Sequence, residues 1–447
     1  MSSSARAGLA ALLLLAAPAA AAPRLLVASG DVTATSAVLW LRGVAEGEAL
    51  VEWGPADGAL APGARLRLTR AADLTARVAV TGLAPATRYA YRVRQRGEAA
   101  RGEFTTAPEP DTPAPVRVHW SGDLGGGRLC RPRAGGYRIF RTMAERRPDV
   151  FLFVGDTIYA DHRCGGPDVV PGADFVAVDL AGFRAKHRYN REDPWLAAFL
   201  ARTPVYAIWD DHEVRNDFAG PTEPLMPLGR QAFLEYWPIL PPPEEPGRLY
   251  RKFRWGRLLE VFILDTRQYR SPNAERDGPG KTMLGAAQRQ WLLDGLTAST
   301  ATWKVVVSSV SLSVPTGRRA RDSWSSATIW GVPEDGAGFA SERDAILATL
   351  RDRGVRNLIV LAADVHHAEV IRHRPWPGFV VWELIAGPLS APPGRPRPLD
   401  LALNPESLFA RGGVNNFGEL VIEPRGVTVR LIAEEGAVLF THTIAPE

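Results

Sequence analysis

Lysine is scarce in this chain. Lys186, Lys252, Lys281 and Lys304 are the only four among 53 basic residues, so 49 are arginine. The formal charge is +4 over 447 residues and no basic tract stands out, which argues against nucleic acid as a specific partner. Cysteine is scarcer still: Cys130 and Cys164 are alone, so no thiolate triad is available to hold a metal. Past the N-terminus there is no second long apolar run, so no transmembrane segment is expected in the mature chain. What remains is 46% hydrophobic and 23% charged, the balance of a globular protein and not of a disordered one. The length is too great for one ordinary domain, so two are expected.

The first 22 residues, "MSSSARAGLAALLLLAAPAAAA", carry one cation, Arg6, then a short Leu/Ala core and small residues. This is the pattern of a signal peptide with cleavage around Ala21 or Ala22, and it predicts an exported protein, periplasmic or extracellular. No twin-arginine pair is present. In an oxidising compartment Cys130 and Cys164 have two alternatives, a disulfide or two unpaired thiols.

Residues 23–107 alternate in short strands, among them "ATSAVLWLR", "ALVEW", "ARVAV" and "RYAYRVR". "TGLAPATRYAYRV" sets Leu83, Pro85, Thr87 and Tyr89 in the order of a β-sandwich corner. The segment therefore predicts a small immunoglobulin- or fibronectin-like all-β sandwich. Residues 108–115, rich in proline, read as a stiff linker. From residue 116 to 447 the pattern becomes strand, loop, helix, which predicts an α/β core of layered sheets flanked by helices. Its strong strand candidates are "VRVHW", "VFLFV", "VYAIW", "LLEVFIL", "WKVVVSS" and "NLIVLAA".

Five of these strands run straight into polar clusters. They deliver Asp123, then Asp156 with Tyr159, then Asp210, Asp211, His212, Asn216 and Asp217, then Asp265 with Arg267, and finally Asp364 with His366. One aspartate after a strand is usually a turn former, but five such ends are hard to explain that way. In α/β folds the carboxyl ends of strands are where ligands bind. Clustered carboxylates repel unless cations neutralise them, and an oxygen-rich set with imidazole suits hard or intermediate metals. A phenolate ligand asks for a strong Lewis acid such as Fe(III), because a free phenol ionises only near pH ~10. The expected product is a two-metal hydrolytic site.

"GDLGGG", "GDTIYAD", "WDDHEVRND" and "ADVHHAE" resemble the motifs of the calcineurin-like metallophosphoesterases, in the version found in PhoD-like alkaline phosphatases and phosphodiesterases. "VASGDVTATSAVLWLR" also resembles the start of that family's N-terminal sandwich domain. The resemblance covers nearly the whole mature chain. It implies a metallophosphoesterase-type core in which Asp123, Asp156, Tyr159 and His366 hold a first metal, Fe(III) in the family. Asp156 would bridge to a second site completed by Asp211 and Asp364, taking Ca or another divalent ion. Asp210 rivals Asp211 for that role, since strand alternation lets only one face the site easily. The chain departs from many relatives in offering Asp123 where they have a cysteine, and an all-oxygen and imidazole set accepts Mn as readily as iron.

The resemblance implies an exported hydrolase of phosphate mono- or diesters, working by in-line attack of a metal-bridging hydroxide. No serine, threonine or cysteine sits in an activated nucleophile motif, so no phosphoenzyme is expected. His212 is a candidate for stabilising the phosphoryl group or protonating the leaving group, or else a structural histidine. Arg267 is a candidate fork for phosphate oxygens, and Asn216 a candidate phosphate contact or a loop former. His162, His367 and Asp161 are expected outside the metal ligands. The segment around "FRAKHRYNRE" and the loop "SWSSATIWGVPEDG" are either determinants of substrate choice or ordinary surface loops. The alternatives are a phospholipase D-like phosphodiesterase on the same metals and a non-catalytic extracellular binding protein; partner proteins are not indicated.

Overall fold

The computed structural model describes residues 24–125, 130–332 and 338–447. The expected signal peptide lies outside the described residues, as do parts of the "GDLGGG" motif and of the "SWSSATIWGVPEDG" loop. No helix among the described residues is long and apolar enough to cross a membrane.

Seven strands come first: β1 (Leu26–Gly30), β2 (Ser36–Arg42), β3 (Gly47–Pro55), β4 (Ala61–Leu68), β5 (Thr75–Thr81), β6 (Arg88–Gln95) and β7 (Glu98–Thr105). They pair as β1-β2-β5 and β4-β3-β6-β7. Alternation does the sorting: in β6, Tyr89, Tyr91 and Val93 point inward while Arg88 and Arg94 stay outside. The expected corner is present, with the Tyr89 hydroxyl accepting the Ala84 N–H at 2.9 Å.

The remaining strands are β8 (Val116–Ser121), β9 (Val150–Val154), β10 (Val205–Ile208), β11 (Arg251–Trp255), β12 (Leu259–Ile263), β13 (Trp303–Val307), β14 (Leu358–Ala362), β15 (Ala368–Trp376), β16 (Phe379–Ile385), β17 (Pro405–Arg411), β18 (Asn416–Glu423), β19 (Gly426–Ala433) and β20 (Val438–Ile444). Among the described residues six α-helices join them: α1 (Ile139–Glu145), α2 (Leu180–Arg191), α3 (Pro194–Leu200), α4 (Met226–Tyr236), α5 (Gly285–Ala298) and α6 (Ala340–Asp352). Two sheets result, β20-β19-β18-β8-β9-β10-β1-β2-β5 and β11-β12-β13-β14-β16-β15-β17. They share one core: Leu152 and Val154 of the first sheet and Val261, Val305 and Ile359 of the second belong to the same buried cluster. The alternate residues Phe262, Val306 and Val360 face outward under α5 and α6, which supply Leu292, Leu296 and Ile346.

Two features differ from the sequence reading. The N-terminal sandwich does not stand apart, because β1 pairs in parallel with β10, Gly30 opposite Val205, and continues the first sheet. Across this junction Asp31 and Arg251 form an ion pair at 2.9 Å, and the Trp40 indole N–H donates to the Glu235 carbonyl at 2.7 Å. The "FRAKHRYNRE" segment is not a loop: it is most of helix α2, capped by the Asp179 side chain on the Gly182 N–H. Polar residues without alternation hid it, since the helix buries Lys186, His187, Asn190 and Arg191 along with Phe183 and Tyr189.

Candidate metal centre

Strands β8, β9 and β10 are parallel neighbours, so the turns that follow them emerge at one end of the first sheet. In the second sheet β12, β13 and β14 are also parallel, and their turns meet the first set. The Asp364 N–H donates to Asp123 Oδ1 at 3.2 Å, and the Ser309 hydroxyl donates to Asp210 Oδ1 at 2.6 Å. The turns are sharp. Asp123, Asp156, Asp364 and His366 all have left-handed backbones, with φ of 62°, 48°, 64° and 58°. Such conformations cost about 1–3 kcal/mol each and recur where ligands are held. Gly155, at φ 83°, is required by close packing: a Cβ there would lie 2.6 Å from the Asp210 Cβ.

The result is a buried nest of donors. Asp123, Asp156 and His366 present ligand atoms within 4.8 Å of one another, and so do Asp156, Asp211 and His212. Asp156 belongs to both groups. The His366 Nδ1–H donates to the Pro392 carbonyl at 2.8 Å, which leaves Nε2 as the acceptor nitrogen of the ring. That nitrogen lies 3.0 Å from the Tyr159 hydroxyl and 3.8 Å from Asp123 Oδ1. The oxygens Asp123 Oδ2, Asp211 Oδ1 and Asp364 Oδ2 are buried with no hydrogen-bond partner. The Asp210 Oδ2 oxygen is orphaned in the same way, and Asp364 belongs to neither group of clustered donors. Buried carboxylate oxygens without a partner fit bound cations.

Electrostatics point the same way. Burial, then neighbouring carboxylates, push Asp123, Asp156 and Asp364 well above the usual aspartate range. Burial together with Asp156 and Asp123 also pushes the Tyr159 phenol up. His366 is driven down to about 4 by burial, which keeps its imidazole neutral at pH 7. Burial works against a proton on His212, yet Asp211 and Asp161 raise it to about 9.

Asp210 and Asp211 divide their work. Each has one oxygen engaged and one buried without a partner: Asp210 Oδ1 accepts from Arg267 Nε at 2.6 Å and from Ser309, Asp211 Oδ2 accepts from the Asp217 N–H, and only Asp211 groups with Asp156 and His212. Arg267 does not reach into the cleft as a free fork. It is fully buried, with Nη1 and Nη2 each 2.8 Å from the two oxygens of Asp322. Its Nη2 stands 3.8 Å from Asp211 Oδ2, so it acts on the site through carboxylates. Asp265 is a turn former, its oxygens accepting from the Trp209 indole and from Gln268. Asn216 is exposed at the rim, its backbone N–H on Asp161 Oδ2 at 2.8 Å. Asp161 also accepts from His212 Nδ1 at 2.8 Å and from His162 at 2.9 Å, while His367 is held by Glu369.

Several supports escaped the sequence reading. Glu213 is buried and accepts from Thr157 N and Oγ1 and from Asp210 N, tying the turns after β9 and β10 together. Asn190 of α2 donates to the carbonyls of Leu124 and Thr157, at 3.1 and 2.9 Å, bracing the Asp123 and Asp156 turns. Glu213 lies within "WDDHEVRND" and could have been weighed there. Asp322 sits in "RRARDSW", where nothing local marks it. Cys130 and Cys164 form a disulfide, Cα atoms 5.6 Å apart, linking the segments that follow those same two turns.

This fold and this donor set define a class: a layered α/β protein with a candidate centre of oxygen and imidazole ligands at its strand ends. The PhoD-like phosphatase family model matches residues 125–427, and the model of the PhoD-like phosphatase N-terminal domain matches residues 15–108. The chain belongs to the PhoD-like phosphatase family. It is similar to alkaline phosphatase D of Bacillus subtilis (strain 168), 28% identical over 385 residues that cover 76% of this chain and 64% of that protein. The match thus spans a little under two thirds of the relative's length. A solved structure of PhoD shares the fold at a TM-score of 0.75 and 22% identity, covering 94% of this chain and 92% of that one.

Proposed function

We propose that the protein is an exported, metal-dependent hydrolase of phosphate mono- or diesters, of the alkaline phosphatase D kind. The observation that carries this reading is the set of buried, unpartnered oxygens on Asp123, Asp210, Asp211 and Asp364, together with Asp156, which is common to two groups of clustered donor atoms. Asp123, Asp156, Tyr159 and His366 would hold a first cation, iron(III) or manganese. Asp156, Asp211 and Asp364 would hold a second, calcium or another divalent ion, since that set offers only oxygen. Bound there, the cations supply charge neutralisation and Lewis-acid activation of water at neutral pH.

The chain's own residues do the rest. His212, with Nδ1 on Asp161, holds a proton for the oxygen of the leaving group. Asp161 fixes the ring and keeps it charged even when a cation weakens the pull of Asp211. Asn216, exposed at the rim, would meet a phosphate oxygen. Arg267 orients Asp210 and stands beside Asp211, a positioning role. Export is supported by the leader pattern and by the Cys130–Cys164 disulfide, which belongs to an oxidising compartment.

The test is hydrolysis of aryl phosphate monoesters and diesters across pH, with iron, manganese and calcium each varied, alongside metal analysis of the purified protein. Asp156→Asn should lose both metal and activity, because it weakens the one carboxylate common to both groups. Full activity in that variant, or a wild-type protein without stoichiometric metal, would overturn the assignment.

A further inference from the structure

A cleft of about 580 Å³ opens beside the Asp211 end of the centre, lined by Asn216, Asp217, Asn273 and three arginines, Arg318, Arg319 and Arg321. Its floor is continuous with the metal-site residues. The Asp217 N–H donates to Asp211 Oδ2 at 2.6 Å, and Asp217 Oδ2 accepts the Arg318 N–H at 2.8 Å. Asn273 Nδ2 ties the same wall together, donating to the Asp217 carbonyl at 3.0 Å and to Asp322 Oδ1 at 2.7 Å. The arginines are therefore presented by a turn anchored to the site and not by a free loop. That turn is strained: Arg319 and Ala320 have φ of 59° and 56°, and the Asp322 N–H closes it on the Thr316 carbonyl at 3.1 Å.

The charge of the cleft is what needs an explanation. Arg318 and Arg319 are exposed, and neither side chain is paired with a carboxylate among the described residues. Among the described residues Asp217 is the one acid in the lining, and its Oδ2 is already engaged by the Arg318 backbone. Guanidinium groups suit the oxygens of phosphate or carboxylate, which they grip as a fork. A cleft that neighbours a phosphoryl-binding centre and carries unspent arginine has a use for a second anion. We propose that it is a subsite for a second oxyanion of the substrate, a phosphate or carboxylate carried beyond the scissile ester. Arg318 and Arg319 set the preference for it. The proposal rests on the hydrolase reading above and deepens it by naming the substrate class.

The test compares phenyl phosphate with the same ester bearing a para-phosphonomethyl or para-carboxymethyl group, using the metal-loaded full chain. Wild type should favour the doubly anionic esters by about tenfold in kcat/KM, the scale of one charge-assisted hydrogen bond. The Arg318→Gln/Arg319→Gln double variant should lose that preference through KM for those esters alone, with phenyl phosphate unchanged. Arg318→Glu/Arg319→Glu should invert it. Equal kcat/KM for all esters in wild type, or a preference that survives in R318Q/R319Q, overturns the subsite. Should no ester be hydrolysed, the hydrolase reading is what fails, and calorimetry then decides the subsite. A non-hydrolysable bisphosphonate that binds wild type more tightly than its monophosphonate, and loses that advantage in R318Q/R319Q, supports it; an unchanged advantage overturns it.

Discussion

At the scale of single residues, Arg267 shows how far a side chain's neighbours decide its role. Burial opposes its charge, but Asp210, Asp322 and Asp211 hold the guanidinium well above its ordinary pKa. In return Arg267 and Arg270 pull Asp322 down to about 2 against the effect of its own burial. This is a buried ion cluster, and removing one member leaves the others uncompensated. Arg267→Met is therefore expected to lower folding stability by about 3–5 kcal/mol, read as a shift in the denaturant midpoint. An arginine that only gripped substrate would leave the midpoint unmoved and raise KM. Asp210 and Asp211 make the same point in two adjacent positions. Both could be proposed as ligands from "WDDHE", yet one oxygen of Asp210 is taken by Arg267 and Ser309 while Asp211 faces Asp156.

At the scale of elements, the six strands that the sequence marks most strongly in the core are present within a residue or two of their expected ends. They were legible because runs such as "VFLFV" are buried on both faces and need no partner to announce themselves. Helix α2 was not legible, because its buried face is made of Lys186, His187, Asn190 and Arg191, residues whose burial depends on what they bond across the fold. The disulfide sits at this scale too. Its two cysteines are 34 residues apart, and closing a loop of that length is worth about 3–4 kcal/mol in the chain-entropy account. Replacing both with serine should lower Tm accordingly. Because Cys130 and Cys164 follow the turns of Asp123 and Asp156, metal affinity measured by titration should weaken as well. A variant with unchanged Tm and unchanged affinity would show the bond to be dispensable.

At the scale of the whole molecule, the first sheet is closed at both ends by chain from far away. Strand β18 pairs with β8, and Glu419 stands opposite His119 in that register. The Glu419 side chain is fully buried and accepts from Arg146 at 2.8 Å and from Arg430 at 2.8 Å, with His119 at 3.2 Å. Burial alone would raise its pKa, but His119, Arg146 and Arg430 together hold it well below the usual glutamate range. A carboxyl depressed in the folded state stabilises at every pH above its unfolded value, near ~4.3, and loses that contribution as pH falls through the folded value. Glu419→Gln is thus expected to cost about 3 kcal/mol at neutral pH and to flatten the acid limb of the stability curve. Urea melts of both proteins from pH 7 to 3 check it: a constant difference between them across that range would contradict the linkage. Asp31 titrates with the opposite sign, since burial raises it to about 6 and its ionisation costs stability as pH rises. It is common to both proteins and cancels in the difference.

The sequence by itself determined which candidate donors the strand ends carry and in what order, because a strand that ends in aspartate is a local pattern and five of them in one chain are a global one. It also determined the β-sandwich, through alternation and the Tyr89 corner, and the layered α/β class that follows. Only the tertiary structure decided which donors cluster, that Arg267 is consumed by Asp210 and Asp322, that α2 braces the Asp123 and Asp156 turns, and that the sandwich extends the first sheet. Those outcomes depend on contacts between residues tens to hundreds of positions apart. Burial and pairing at such distances are set by how the sheets pack, which no local spacing encodes.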